Sequence, residues 1–158
     1  MRVIIDGCDG VGKTSVCEKL ANKFACNIIR LTHDGDRSLY AYLDLMTCNN
    51  VVHDRSFLSE IIYPRHFERE SRVKKEDINT LYRILRFHDL KLFILTASPE
   101  TIESRVSKRG DEYITDLSKL KDINDDYLRV AKRHGFTVID TTNKSIDEIV
   151  EEIGGYLI

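Results

Sequence analysis

Eight residues near the amino terminus, Gly7-Cys8-Asp9-Gly10-Val11-Gly12-Lys13-Thr14, constrain this chain more than any other stretch. They fit the spacing G-x-x-x-x-G-K-S/T. Before them stands the short apolar run Arg2 to Asp6, which reads as a buried strand. After them, Val16, Cys17, Leu20 and Phe24 recur at helical spacing within Thr14 to Phe24. The unit is therefore strand, glycine-rich loop, helix. Glycines let the loop backbone turn with its N–H groups inward, and the helix starting near Lys13 adds the positive end of its dipole to the same hollow.

Such a hollow suits a string of phosphates. The expected nucleotide-binding set is Gly7, Gly10, Val11, Gly12, Lys13, Thr14 and Ser15. Lys13 supplies a point charge for the terminal phosphates, and the Thr14 hydroxyl can ligate Mg2+, so ATP and Mg2+ are the implied ligands.

The rest of the chain alternates strand and helix. Strands are predicted over Asn27 to Leu31, Val51 to Asp54, Lys91 to Thr96 and Thr137 to Asp140. Helices are predicted over Ser38 to Met46, over Glu76 to Asp89 with Ile78, Leu81, Leu85 and Tyr82 inward, and over Leu117 to His134 with Leu117, Leu120, Ile123, Tyr127 and Ala131 on one stripe. Another begins at Ser98-Pro99, as N-cap and first turn, and stops near Gly110. Ser145-Ile146-Asp147-Glu148 is a capping box opening the last helix, with Ile146, Ile149, Val150 and Ile153 as its face. This alternation implies an α/β chain with a mostly parallel sheet and helices on both faces, and catalytic groups at the carboxyl ends of the strands.

At 158 residues, with two prolines and no low-complexity linker, residues 1–158 read as a single domain. A net charge of -2 supplies no global basic field, so no stable nucleic-acid partner is expected. No apolar run reaches the ~18 residues that span a bilayer, and the first residues are too short a run for a signal peptide. The cysteines Cys8, Cys17, Cys26 and Cys48 show no Cys-x-x-Cys pairing and read as free thiols, so a cytoplasmic location, or the host's cytoplasm for a viral chain, is expected.

Three features resemble thymidylate kinase and its relatives among the nucleoside monophosphate kinases, in particular short phage-type members. Asp9 stands inside the phosphate loop, where the matching acid of the family bonds the acceptor sugar. Asp54-Arg55-Ser56, with Ser59 and Tyr63 following, resembles the family's Asp-Arg-Tyr segment, although Ser56 replaces the aromatic. Arg105 and Arg109 lie four apart on a helix followed by Gly110-Asp111-Glu112, like the family's lid, here around 105–115. Gly10 leaves no basic side chain in the loop, a pattern that goes with charge supplied from the lid.

The resemblance implies a three-layer sandwich around a five-stranded parallel sheet in the order 2-3-1-4-5. It implies ATP-dependent phosphorylation of a (deoxy)nucleoside monophosphate, dTMP or a related deoxynucleotide. Lys13, Arg55, Arg105 and Arg109 would be catalytic; Asp9, Arg55, Ser59 and Tyr63 would hold the acceptor; Thr14 and Asp54 would serve the metal. A homodimer is left open. Asp-Arg-Ser is also similar to the Glu-Arg-Ser segment of deoxynucleoside kinases, in which case Asp54 would be the base for a 5′-hydroxyl. A non-catalytic nucleotide-binding protein is the other alternative. His33 and Asp36 could touch the acceptor but read first as a polar turn; Tyr40 and Tyr42 could stack a base but read first as core or surface aromatics; Arg65, Arg69 and Arg72 with Lys74 and Lys75 could attract an anionic acceptor but read first as a solvated basic face.

Overall fold

A computed structural model describes residues 1–32, 35–110 and 116–157. Strands β1 (Arg2–Asp6), β2 (Asn27–Arg30), β3 (Val51–Asp54), β4 (Lys91–Thr96) and β5 (Thr137–Asp140) form one sheet in the order β2-β3-β1-β4-β5, parallel throughout. The order is the one the resemblance implies. Parallel neighbours require crossovers. These are α1 (Lys13–Phe24), α2 (Leu39–Thr47), α3 (Leu58–His66), α4 (Lys75–Phe87), α5 (Pro99–Arg109) and α6 (Leu117–His134), with α7 (Ile146–Gly155) after the last strand.

β3 is buried at every residue, and β1 and β4 along nearly their whole length, while the edge strands β2 and β5 keep exposed positions. The three central strands are thus covered on both faces, which is why they read as unbroken apolar runs. The helix caps follow the sequence. Ser98 accepts from the Thr101 N–H with Pro99 in the first turn, Gly110 ends α5 at φ 64, and Ser145 with Glu148 completes a capping box.

Helix α3 was not anticipated. It buries Leu58, Glu60, Ile61, Ile62 and Pro64 and leaves a narrow polar strip at Ser59, Tyr63 and His66, too short to stand out as a helical pattern. Pro64 lacks the N–H that the Glu60 carbonyl would otherwise accept from; the Ser71 hydroxyl supplies that bond instead, at 2.6 Å. Strand register gathers the polar strand ends at one edge: Ile5 lies opposite Asp54, Asp6 opposite Ile94, and Thr96 opposite Asp140.

Candidate active site

The loop between β1 and α1 depends on close backbone packing. Gly7 has φ 140, and a Cβ there would overlap the Leu95 carbonyl oxygen. Gly10 has φ 84, and a Cβ would lie 3.0 Å from Val106 Cγ2 and 3.1 Å from the Ile102 oxygen. Position 10 is therefore filled by α5, and α5 brings both predicted arginines to the loop.

Those arginines diverge. Arg109 lines a cavity of about 200 Å3 with Lys13, Thr14, Asp54 and Arg55. Arg105 instead donates from Nη1 to the Gly10 oxygen at 3.3 Å and Thr141 Oγ1 at 3.0 Å, and from Nη2 to the Thr141 oxygen at 2.9 Å. It ties the back of the loop to the end of β5. Thr141 Oγ1 also reaches the Val11 oxygen at 3.0 Å, and the Val11 side chain is wholly buried, so Val11 offers the hollow only its backbone.

Lys13 is 6% exposed and its Nζ donates to the Cys8 oxygen at 2.6 Å. Burial, reinforced by the Arg55 charge, pulls its ammonium below the ordinary value. Thr14 and Ser15 are exposed at the start of α1. Thr14 Oγ1 donates to Asp54 Oδ2 at 3.0 Å, which joins the two predicted metal residues. Two hard oxygen groups beside a phosphate hollow fit Mg2+, which binds through one or two protein oxygens and keeps phosphates and waters as its other ligands. Among the described residues, no group of three His, Cys, Asp or Glu could cage a metal unaided.

The four predicted acceptor residues also meet. Arg55 forms an ion pair with Asp9, sits 5.3 Å above the Tyr63 ring, and approaches Ser59 Oγ at 3.5 Å. Tyr63 Oη donates to Asp9 Oδ2 at 2.8 Å. Burial would raise the Asp9 carboxyl, but the Lys13 and Arg55 charges and the Tyr63 hydroxyl outweigh it and hold it below the usual range. Arg55 has φ 80, a backbone region that costs a long L side chain about 1–3 kcal/mol. The strain turns its side chain off the end of β3 while its N–H still donates to the Ile5 oxygen at 2.9 Å.

Sequence reasoning missed Asp6. Its buried carboxylate accepts from the Gly7 N–H at 2.8 Å, the Ser56 N–H at 2.9 Å, Ser56 Oγ at 2.5 Å and Tyr127 Oη at 2.8 Å. The available signal was a charge ending an apolar strand directly before the loop. The hub accounts for Ser56, since an aromatic there could not make this bond. Arg69 and Arg72 are a correction: they surround the buried Glu60 carboxylate and line a second cavity of about 220 Å3 that shares Arg55 with the first. Asp36 is an exposed turn residue accepting from the Ser38 N–H and hydroxyl; Tyr42 is core and Tyr40 is exposed. His33 and positions 111–115 of the expected lid lie outside the described residues.

Fold and site together define a P-loop kinase of the α/β class. No protein-family model matches the chain. It is 30% identical over 186 residues to the "Probable thymidylate kinase" of Methanocaldococcus jannaschii, covering 99% of this chain and 95% of that one. It is 27% identical to the SPbeta prophage-derived protein YorR of Bacillus subtilis (strain 168), covering 96% and 95%. The crystal structure of YorR in complex with phosphorylated GDP matches with a TM-score of 0.83 at 24% identity, over 99% of this chain and 95% of that one. In fold, the structure of deoxyadenosine kinase from M. mycoides also matches, with a TM-score of 0.69 at 18% identity over 99% of this chain and 98% of that one. The chain belongs to the thymidylate kinase-like nucleotide kinases, and it is a phosphotransferase. No helix among the described residues is long and apolar enough to cross a membrane.

Proposed function

We propose that this chain transfers the terminal phosphoryl group of ATP to a (deoxy)nucleoside monophosphate, dTMP or a related deoxynucleotide, giving ADP and the diphosphate. The observation that carries the reading is the cluster of Asp9, Arg55, Ser59 and Tyr63 facing the phosphate loop across the end of β3. The names and ligands of the relatives, a thymidylate kinase and a protein crystallised with phosphorylated GDP, support a nucleotide acceptor.

Phosphoryl transfer needs in-line positioning and charge neutralisation more than covalent help. The loop amides and Lys13 hold the donor; on binding ATP, Lys13 exchanges the Cys8 carbonyl for phosphate oxygens. Thr14 and Asp54 are the residues that would hold Mg2+, which would supply charge neutralisation at the phosphates. Arg55 exchanges Asp9 for the acceptor phosphate, a planar guanidinium being suited to phosphate oxygens. Asp9, released from Arg55 and still held by Tyr63, takes the acceptor sugar hydroxyl. Arg109 faces the transferring group, and Arg105 positions the loop. An acceptor phosphate is already a nucleophile, so no general base is required.

The test is Asp9→Ala with both substrates titrated. The acceptor KM rises about tenfold or more, the loss of one charged hydrogen bond, while the ATP KM stays within about threefold. Equal loss of both would remove the reason for placing a monophosphate beside Asp9.

A further inference from the structure

The buried Asp6 carboxylate ends the central strand β1, between the phosphate loop and the Arg55 segment. Its two oxygens divide their partners. Oδ1 accepts from the Gly7 N–H at 2.8 Å and from Tyr127 Oη at 2.8 Å. Oδ2 accepts from the Ser56 N–H at 2.9 Å and from Ser56 Oγ at 2.5 Å. Ser59 Oγ stands further off, 3.4 Å from Oδ1 and 3.1 Å from Tyr127 Oη, and it meets Arg55 Nη1 at 3.5 Å. Tyr127 is wholly buried on α6, and one turn earlier Asn124 accepts from Thr96 Oγ1 at 3.0 Å, which pins the helix to the end of β4.

A carboxylate offers about four lone-pair sites, and the four short bonds fill them. All four donors are neutral. A buried charge held this way contributes less to stability than a well-packed apolar residue continuing Val3, Ile4 and Ile5. What it provides is geometry. One rigid group links the first amide of the phosphate loop to the residue that follows Arg55. Phosphoryl transfer is sensitive to that spacing, because donor and acceptor must meet in line and a displacement of about 1 Å costs roughly 100-fold in rate.

Resting on the reading that Arg55 holds the acceptor phosphate, we propose that Asp6 is a positioning residue that sets the spacing between donor loop and acceptor segment, and so governs the rate of transfer rather than the affinity for either substrate. It acts through Gly7 and Ser56, its own lone pairs being taken. Replacement by asparagine cuts the link selectively. The amide keeps one oxygen and turns the other into an NH2 group. With the amine at the Oδ2 position it faces the Ser56 N–H; flipped, it faces the Gly7 N–H. A hydroxyl can rotate to accept, but a backbone N–H cannot. In either orientation one side of the link opens, while Lys13 and Arg55 keep their side chains.

The test is the kinetics of Asp6→Asn and Tyr127→Phe with ATP, Mg2+ and whichever of dTMP, dUMP, dGMP, dCMP, dAMP and the corresponding nucleosides the wild type uses fastest. The transfer rate is taken from single turnovers at saturating substrates, so that product release does not mask it, and is normalised to the folded fraction read by circular dichroism. Asp6→Asn lowers that rate about 100-fold and leaves the half-saturating concentrations of ATP and acceptor each within about threefold. Tyr127→Phe keeps both backbone bonds but loses the hydroxyl that steadies Oδ1 and Ser59; it lowers the rate about tenfold with both affinities kept. It decides the matter where Asp6→Asn fails to fold. Transfer rates per folded chain that stay within about threefold of wild type would make the hub merely structural and overturn the proposal. So would a weakened affinity for either substrate at an unchanged rate. If nucleosides alone are phosphorylated, the monophosphate reading fails, while the split between rate and affinity, measured on the nucleoside, still tests the spacing.

Discussion

Replacing Arg55 separates its proposed grip on phosphate from its effect on stability. Its guanidinium is paired with Asp9, stacked on Tyr63 and aimed between the two cavities. Charge-assisted hydrogen bonds contribute about 1.5–3 kcal/mol each, so losing a two-bond grip lowers acceptor kcat/KM by roughly 100- to 10,000-fold. The stability cost is smaller. Asp9 keeps the Tyr63 bond at 2.8 Å and its side chain is 24% exposed, so the broken pair costs about 1–2 kcal/mol rather than the ~3–5 kcal/mol of a fully buried pair. The φ of 80 distinguishes two variants: alanine keeps the strain and glycine relieves it. Arg55→Gly should therefore be more stable than Arg55→Ala by about 1 kcal/mol, or ~2–4 °C in Tm for a chain of this size. Initial velocities at saturating ATP and scanning calorimetry read the two effects. An Arg55→Ala chain with a normal acceptor KM would refute the phosphate grip. A glycine variant that melts below the alanine one would refute the strain.

Lys13→Ala should reduce transfer by about 1,000-fold or more with an unchanged far-UV spectrum, since the amine is proposed to serve the phosphates and, among the described residues, bonds only the Cys8 carbonyl; residual turnover above that level would contradict its role. Gly10→Ala forces a Cβ against Val106 and Ile102 at a left-handed position and should destabilise by about 1–3 kcal/mol, read from the denaturant midpoint; an unmoved midpoint would show that α5 yields. His53 is buried, its Nε2 has no partner among the described residues, and burial pulls its pKa from 6.5 to about 4. Because the folded value lies below the unfolded one, the unfolded chain binds the extra proton between them. The neutral ring's contribution is complete above about pH 6.5 and up to ~3 kcal/mol is lost as pH falls towards 4. His53→Leu should flatten that limb of a stability–pH curve, and an unchanged slope would place the acid sensitivity elsewhere.

The sheet and the phosphate loop were legible because each has a local signature: apolar runs at the strands, fixed glycine spacing at the loop, and caps at Ser98, Ser145 and Gly110. Asp9, Arg55, Ser59 and Tyr63 came from a motif spanning two segments, and the parallel pairing of β1 with β3 brings the segments together. Helix α3 was hidden because burial around most of its circumference and Pro64 erase the helical pattern. Without α3, Glu60 could not be placed, and Arg69 and Arg72 read as a solvated face. The Asp6 hub was hidden for another reason: its partners Ser56 and Tyr127 lie 50 and 121 residues away, and only the fold juxtaposes them. Arg105 and Arg109 look equivalent by spacing, but Thr141 claims one of them.

Whether the acceptor is a phosphate or a hydroxyl can be read from the product. Phosphorus NMR of the chain with ATP, Mg2+ and dTMP should show a new nucleoside diphosphate forming in step with ADP, with thymidine inert in a parallel sample. Conversion of thymidine to its monophosphate while dTMP stays untouched would contradict the account and make Asp54 the base rather than a metal-side carboxylate.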